Sequence, residues 1–262
     1  MTSTTPTTFH ALVCGASAGI GRAAALALAE QGMKITALAR RESLLKELTS
    51  ELLEAGASEA GYVVADLDKR DELEATISEL LAKEGPVHVW INNTGGPPGG
   101  PLHEASESEL EIAYGRHLFA AHRMLKLLLP GMVEAGYGRI ISVLSTSVRQ
   151  PIPNLGVSNT VRAAMASWSK TLSGELPPGI TINCILPGFT ATDRLASLAD
   201  GRAARSGTTR AAVEEAWRGT IPEGRLGRPE ELGATIAFLA SPAASYIRGV
   251  CLPVDGGRLT CI

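Results

Sequence analysis

From His10 to Val254 the chain alternates short apolar runs with longer helical stretches, and no other feature narrows its fold so far. Residues 10–14, 33–39, 61–65, 87–91, 139–144, 179–185 and 249–254 read as seven strands. Between them, 20–31, 42–55, 69–83, 106–133, 154–175 and 230–239 read as helices, the fourth with Pro130 as a point of deflection. The strand runs are apolar throughout rather than alternating, as expected where a sheet is covered on both faces. The pattern predicts an α/β fold: a doubly wound, seven-stranded, mainly parallel sheet with helices on both faces. No repeat or linker divides residues 1–262, which read as a single domain. One segment lacks a sheet role, the polar, Arg/Ala-rich stretch at about 190–220 between Pro187-Gly188 and Pro222. An insertion after a strand end reads as a lid over a binding site.

Composition excludes several classes. Apolar residues make up 45% and charged residues 19%, enough for a large core and too apolar for disorder. Lys plus Arg number 24 against 27 Asp plus Glu, a net charge of −3 without the basic excess that nucleic-acid binding needs. Four scattered cysteines (Cys14, Cys184, Cys251, Cys261) form no disulfide framework or zinc pattern. No apolar run is long enough to span a membrane, and the Thr-rich residues 1–8 lack the basic start and apolar stretch of a secretory signal. The expectation is a soluble, reduced, cytoplasmic protein.

Where the first strand meets the first helix stands Cys14-Gly-Ala-Ser-Ala-Gly-Ile-Gly21. Glycine at 15, 19 and 21 permits a tight turn and close backbone approach to a pyrophosphate, and the helix that follows offers free N–H groups. Ser17 and Ile20 complete the loop. The strand before and the helix after supply the context that separates a dinucleotide cradle from a bare turn.

On these residues the sequence resembles the short-chain dehydrogenase/reductase family, in the manner of 3-oxoacyl-ACP reductases, over nearly its whole length. Gly15, Gly19 and Gly21 match the family's T-G-x-x-x-G-x-G with Cys14 in place of Thr. Asn92-Asn93-Thr94-Gly95 is similar to its N-N-A-G, and Pro187-Gly188 follows the sixth strand as in the family. Pro222 to Leu232 and Val254-Asp255-Gly256-Gly257 resemble its later signatures. The resemblance implies a Rossmann-type fold, a nicotinamide cofactor held by Gly15, Ser17, Gly19, Ile20, Gly21, Asn93, Gly95, Pro187 and Gly188, and a homodimer or homotetramer. The helices at 106–133 and 154–175, with Leu118, Leu125, Met165 and Trp168, are the expected contact. The second strand ends Leu38-Ala39-Arg40-Arg41 without the acid that reads an NAD ribose, so two cations favour the 2′-phosphate of NADP(H), with NAD(H) the alternative. A solvated helix start is the alternative reading of Arg40 and Arg41. Asp66 falls where the family contacts adenine, unless it caps the next helix.

The catalytic set of the family is Asn, Ser, Tyr and Lys. Its Tyr, a phenol of pKa about 10 lowered by the Lys charge, handles the proton that accompanies hydride transfer. Here Ser145 matches the Ser, but thirteen residues on stands Ser158, followed four residues later by Arg162 rather than Lys. The Asn position holds His117. A Ser hydroxyl is a far weaker acid than a phenol, and Arg keeps its proton while offering a fixed positive fork. His117, with Tyr114 one turn earlier, is therefore the candidate to relay a proton from solvent to a Ser145/Ser158 pair; a satisfied helix-interface histidine is the alternative. His103 is a weaker candidate, and His10, His88 and His122 read as structural residues on strand or helix surfaces. The lid arginines (Arg194, Arg202, Arg205, Arg210, Arg218) raise the idea of an anionic or carrier-linked substrate, though a solvated helical face is the simpler account. Two functions remain open at this point. One is an NADP(H)-dependent oxidoreductase that reduces a small carbonyl to an alcohol with an altered catalytic set. The other is a dinucleotide-binding sensor or partner subunit without turnover.

Overall fold

The computed structural model describes residues 8–261, so the polar N-terminal stretch, Thr8 apart, lies outside the described residues. Seven strands, β1 (His10–Cys14), β2 (Lys34–Ala39), β3 (Glu59–Val64), β4 (Val89–Asn92), β5 (Gly138–Val143), β6 (Ile180–Pro187) and β7 (Cys251–Val254), form one sheet. Its order is β3-β2-β1-β4-β5-β6-β7, and every pairing is parallel. The order reverses between β1 and β4, which opens a crevice at the carboxyl ends of those strands.

Side chains on β1 alternate between two buried layers. Ala11 and Val13 join Ala24, Leu28, Leu48 and Ile236 from α1 (Gly19–Ala29), α2 (Glu42–Glu54) and α9 (Pro229–Ala240). Leu12 and Cys14 join Ile77, Met124 and Met165 from α3 (Arg70–Glu84), α5 (Ala120–Ala135) and α6 (Gly156–Glu175). Both faces of the central strands are therefore buried, even where β6 alternates Thr181 and Asn183 with isoleucines, and the edge strand β3 is the partly exposed one. Leu125 and Met165 are 4% and 1% exposed, so they belong to this core and not to a subunit contact. His10 and His88 are buried as well, rather than on a strand surface. The His10 ring meets Thr36 Oγ1 at 2.9 Å, and the His10 N–H donates to His88 Nδ1 at 3.0 Å.

The helix expected at 106–133 is divided. Ser106 caps α4 (Glu107–Tyr114) in a reciprocal box with Glu109, a π-helical turn follows over Gly115–Phe119, and α5 then runs through Pro130 to a left-handed Gly136. The irregularity thus falls at His117 and not at Pro130. After β6, Thr192 and Thr209 cap α7 (Asp193–Ser206) and α8 (Arg210–Arg218). These two helices pack on each other through Leu195, Ala199, Ala203, Val213 and Trp217, and Trp217 stacks on Phe189 at 4.8 Å. The segment at 190–220 is a helical hairpin tethered to the end of β6. Among the described residues no helix is long and apolar enough to cross a membrane.

Candidate active site

The loop between β1 and α1 is shaped by contacts that only glycine permits. Gly15 sits at φ +63°, and a methyl group on Gly21 would lie 2.3 Å from the Gly15 carbonyl oxygen. The first turn of α1 has no capping side chain and no acid, so its N–H groups are left for an anion. Asn93 follows β4, and its side-chain amide donates to the Cys14 carbonyl at 3.3 Å while pressing on both Gly15 and Gly21. It props the cradle from behind as well as lining the cleft.

One end of the crevice is a space of about 190 Å³ walled by Ser17, Arg40, Arg41, Asp66, Thr94 and Gly95. Arg41 donates to Ser17 Oγ at 3.0 and 3.3 Å, which holds its guanidinium over the loop. Arg40 stands 3.8 Å from the Asp66 carboxylate. Asp66 does not cap α3: it accepts from the Asp68 N–H at 3.1 Å, in a turn that ends before the helix begins. Arg116 also walls this space, paired through both arms with Asp68. No local signal marks Arg116, because the partner that aims it lies 48 residues earlier.

The other end widens to about 430 Å³, where Gly19, Ile20, Ser145, Ser158, Arg162, Pro187 and Gly188 come together. Ser145 follows β5 and accepts from the Ser147 N–H at 3.0 Å. Ser158 and Arg162 lie one turn apart on α6 and face the same cleft. Arg162 is 8% exposed, donates to the carbonyls of Val143 at 2.7 Å and Thr94 at 3.4 Å, and leaves Nε without a partner. Burial, with Arg194 nearby, lowers its pKa to about 10, so it stays charged at neutral pH. Thr190, Thr192, Asp193 and Arg194 close this side from the start of the helical hairpin.

His117 does not meet the expectation of a relay. It is 2% exposed and walls neither end of the crevice. Burial, reinforced by the charges of Arg162 and Arg116, lowers its pKa to about 2. One contact is to the Gly95 backbone, and Nε2 has no partner. Burial and the neighbouring cations thus hold the ring neutral at neutral pH, apart from the residues that line the cleft. His103, in a surface turn, is 82% exposed at its side chain and pairs with Glu104, outside the cleft.

This arrangement has clear relatives. The family model for enoyl-(acyl carrier protein) reductases matches residues 15–258. The 3-oxoacyl-[acyl-carrier-protein] reductase FabG of Vibrio cholerae is 34% identical over 250 residues, 94% of this chain and 96% of that one. The NADPH-dependent reductase BacG of Bacillus subtilis is 31% identical over 255 residues, 96% of this chain and 98% of that one. Among solved structures, YwfH, an NADPH dependent reductase involved in bacilysin biosynthesis, superposes with a TM-score of 0.92 at 28% identity, over 98% and 100% of the two chains. Actinorhodin polyketide ketoreductase with NADPH gives 0.91 at 30% identity, over 97% and 98%. The chain belongs to the short-chain dehydrogenase/reductase family. Within it, the chain is 3-oxoacyl-ACP-reductase-like.

Proposed function

We propose that this chain is an NADP(H)-dependent oxidoreductase that reduces a carbonyl to an alcohol with Ser145, Ser158 and Arg162 in place of the family's phenol-based set. The observation that carries the reading is continuity. The two ends of the crevice share Gly15, Arg41, Thr94 and Gly95, so a dinucleotide lying along it reaches the cleft of Ser145 and Ser158. The residues fit such a group: a cradle that a Cβ would fill, uncapped N–H groups, and Arg40 and Arg41 with no acid at the end of β2. Relatives named as NADPH-dependent support the same choice of cofactor. A nicotinamide dinucleotide bound there supplies the reducing equivalents.

The chain's own residues then orient and polarise. Ser145 and Ser158 donate hydrogen bonds to the substrate oxygen, and Arg162 places a fixed positive charge beside it as negative charge develops. No side chain in this set is an acid near neutrality, so the proton reaches that oxygen from water. The hairpin of α7 and α8 serves as a lid on one domain, through Thr192 and Arg194. A homodimer or homotetramer through α5 and α6 belongs to the same reading, supported by Phe119, which is 53% exposed beside Trp168.

The test is a fluorescence titration with NADPH and NADH, followed by NADPH consumption across a panel of ketones. Tight NADPH binding with turnover that drops about 100-fold in Ser145→Ala, at unchanged NADPH affinity, is the expected result. The absence of a phenol at 158 favours a second reading, a dinucleotide-binding protein without turnover; NADPH binding with no ketone consumed selects it.

A further inference from the structure

Two arginines converge in the substrate end of the cleft without a counter-ion. A methyl group built on Gly96 lies 3.4 Å from Arg194 Nη2 and 3.5 Å from Arg162 Nη2. Arg194 reaches there from the first turn of α7 and donates to the Pro97 carbonyl at 2.6 Å. Among the described residues neither arginine has a carboxylate within ion-pair distance; Arg202 and Arg205 of the same hairpin are likewise without one, whereas Arg210 and Arg218 are paired. Among the described residues Asp193 is the acid that lines this end of the crevice, against Arg41, Arg162 and Arg194. Two like charges held against the same backbone turn repel each other, and Arg162 is nearly buried with an unpartnered Nε. An arrangement of that kind is relieved by an anion that accepts from both forks.

We propose that the substrate of this enzyme is an oxo acid, its carboxylate held between Arg162 and Arg194 while its oxo group faces Ser145 and Ser158. The inference rests on the oxidoreductase reading and names its substrate class. Arg194, which the sequence left among solvated arginines, becomes the residue that selects a charged substrate over a neutral one. Ser145 and Ser158 line the same cleft as Arg162, so acid and oxo group are neighbours in the bound molecule.

The experiment is a calorimetric titration with 2-, 3- and 4-oxopentanoate and their methyl esters, run with and without saturating NADP⁺. At least one acid is expected to bind ten times or more tighter than its ester. Arg194→Met should bring that ratio close to one, and Arg194→Lys should restore part of it, with NADP⁺ affinity within twofold of wild type in both. Acids that bind no tighter than their esters overturn the proposal. So does an Arg194→Met variant that keeps the acid preference but loses NADP⁺ affinity tenfold, since the pair would then serve the cofactor's phosphates. A chain that binds no NADP⁺ at all refutes the oxidoreductase reading instead, and the titration without cofactor still reports on the arginine pair.

Discussion

Mild acid should unfold this protein through histidines that the fold keeps neutral. Burial lowers His117 to about 2 and His10 to about 4, both from an unfolded value of 6.5. Because the folded values lie below the unfolded one, the unfolded chain takes up protons that the fold refuses. Stability is therefore full above pH 6.5 and declines as pH falls through that value. At pH 5 the deficit is about 1.5 units for each ring at about 1.4 kcal/mol per unit, or about 2 kcal/mol from each histidine. The carboxylates held low by cations do not contribute in this window. Glu84, beside Lys34, and Glu231, beside Arg225, release their stabilisation only as pH falls below the ordinary Glu value of 4.5. Urea unfolding at pH 7.5, 6.5 and 5.0 should show His117→Asn losing about 2 kcal/mol less than wild type, while His10 and the likewise depressed, buried His88 weaken both proteins alike. In a thermal scan each kcal/mol corresponds to about 2–4 °C. Asparagine is the residue of the family pattern at this position, so the variant should fold. If wild type and His117→Asn lose stability in parallel, His117 is protonated in the fold and the relay rejected above returns.

Three further outcomes follow from the site. Arg41→Ala should weaken NADPH binding by about 10-fold, the worth of one charge-assisted hydrogen bond, and leave NADH unchanged, whereas Arg40→Ala, 70% exposed and paired with Asp66, should cost less than about 3-fold. Equal losses for both cofactors in a fluorescence titration would remove these residues from phosphate recognition. Gly21→Ala forces its methyl group onto the Gly15 carbonyl and should cost about 1–3 kcal/mol of stability, together with most of the NADPH affinity. Gly174→Ala is the opposite case: it lies inside α6 with open space around it and should stabilise by about 0.5–1 kcal/mol in the same urea assay, without touching cofactor binding.

The sheet, the crevice and most of the residues that line it are legible in the order of the amino acids alone. Apolar runs of strand length between amphipathic helices dictate a doubly covered parallel sheet, because local periodicity decides which side chains can be buried. The spacing of Gly15, Gly19 and Gly21 is equally local, since a backbone conformation at each position sets it. The replacement of Tyr and Lys by Ser158 and Arg162 is also legible from position alone. What the tertiary structure decided are the properties that depend on distant neighbours. His117 has the residue type of a proton carrier, but α6 and the Gly95 turn bury it among cations, and desolvation sets its charge. Arg116 is aimed by Asp68, and Leu125 and Met165 turn inward because α5 and α6 pack against the sheet. Arg194 faces Arg162 only because the hairpin after β6 folds back over the Gly96 turn. Sequence spacing carries conformation along the chain; charge state and the company a side chain keeps come from surfaces that meet only when the chain has folded.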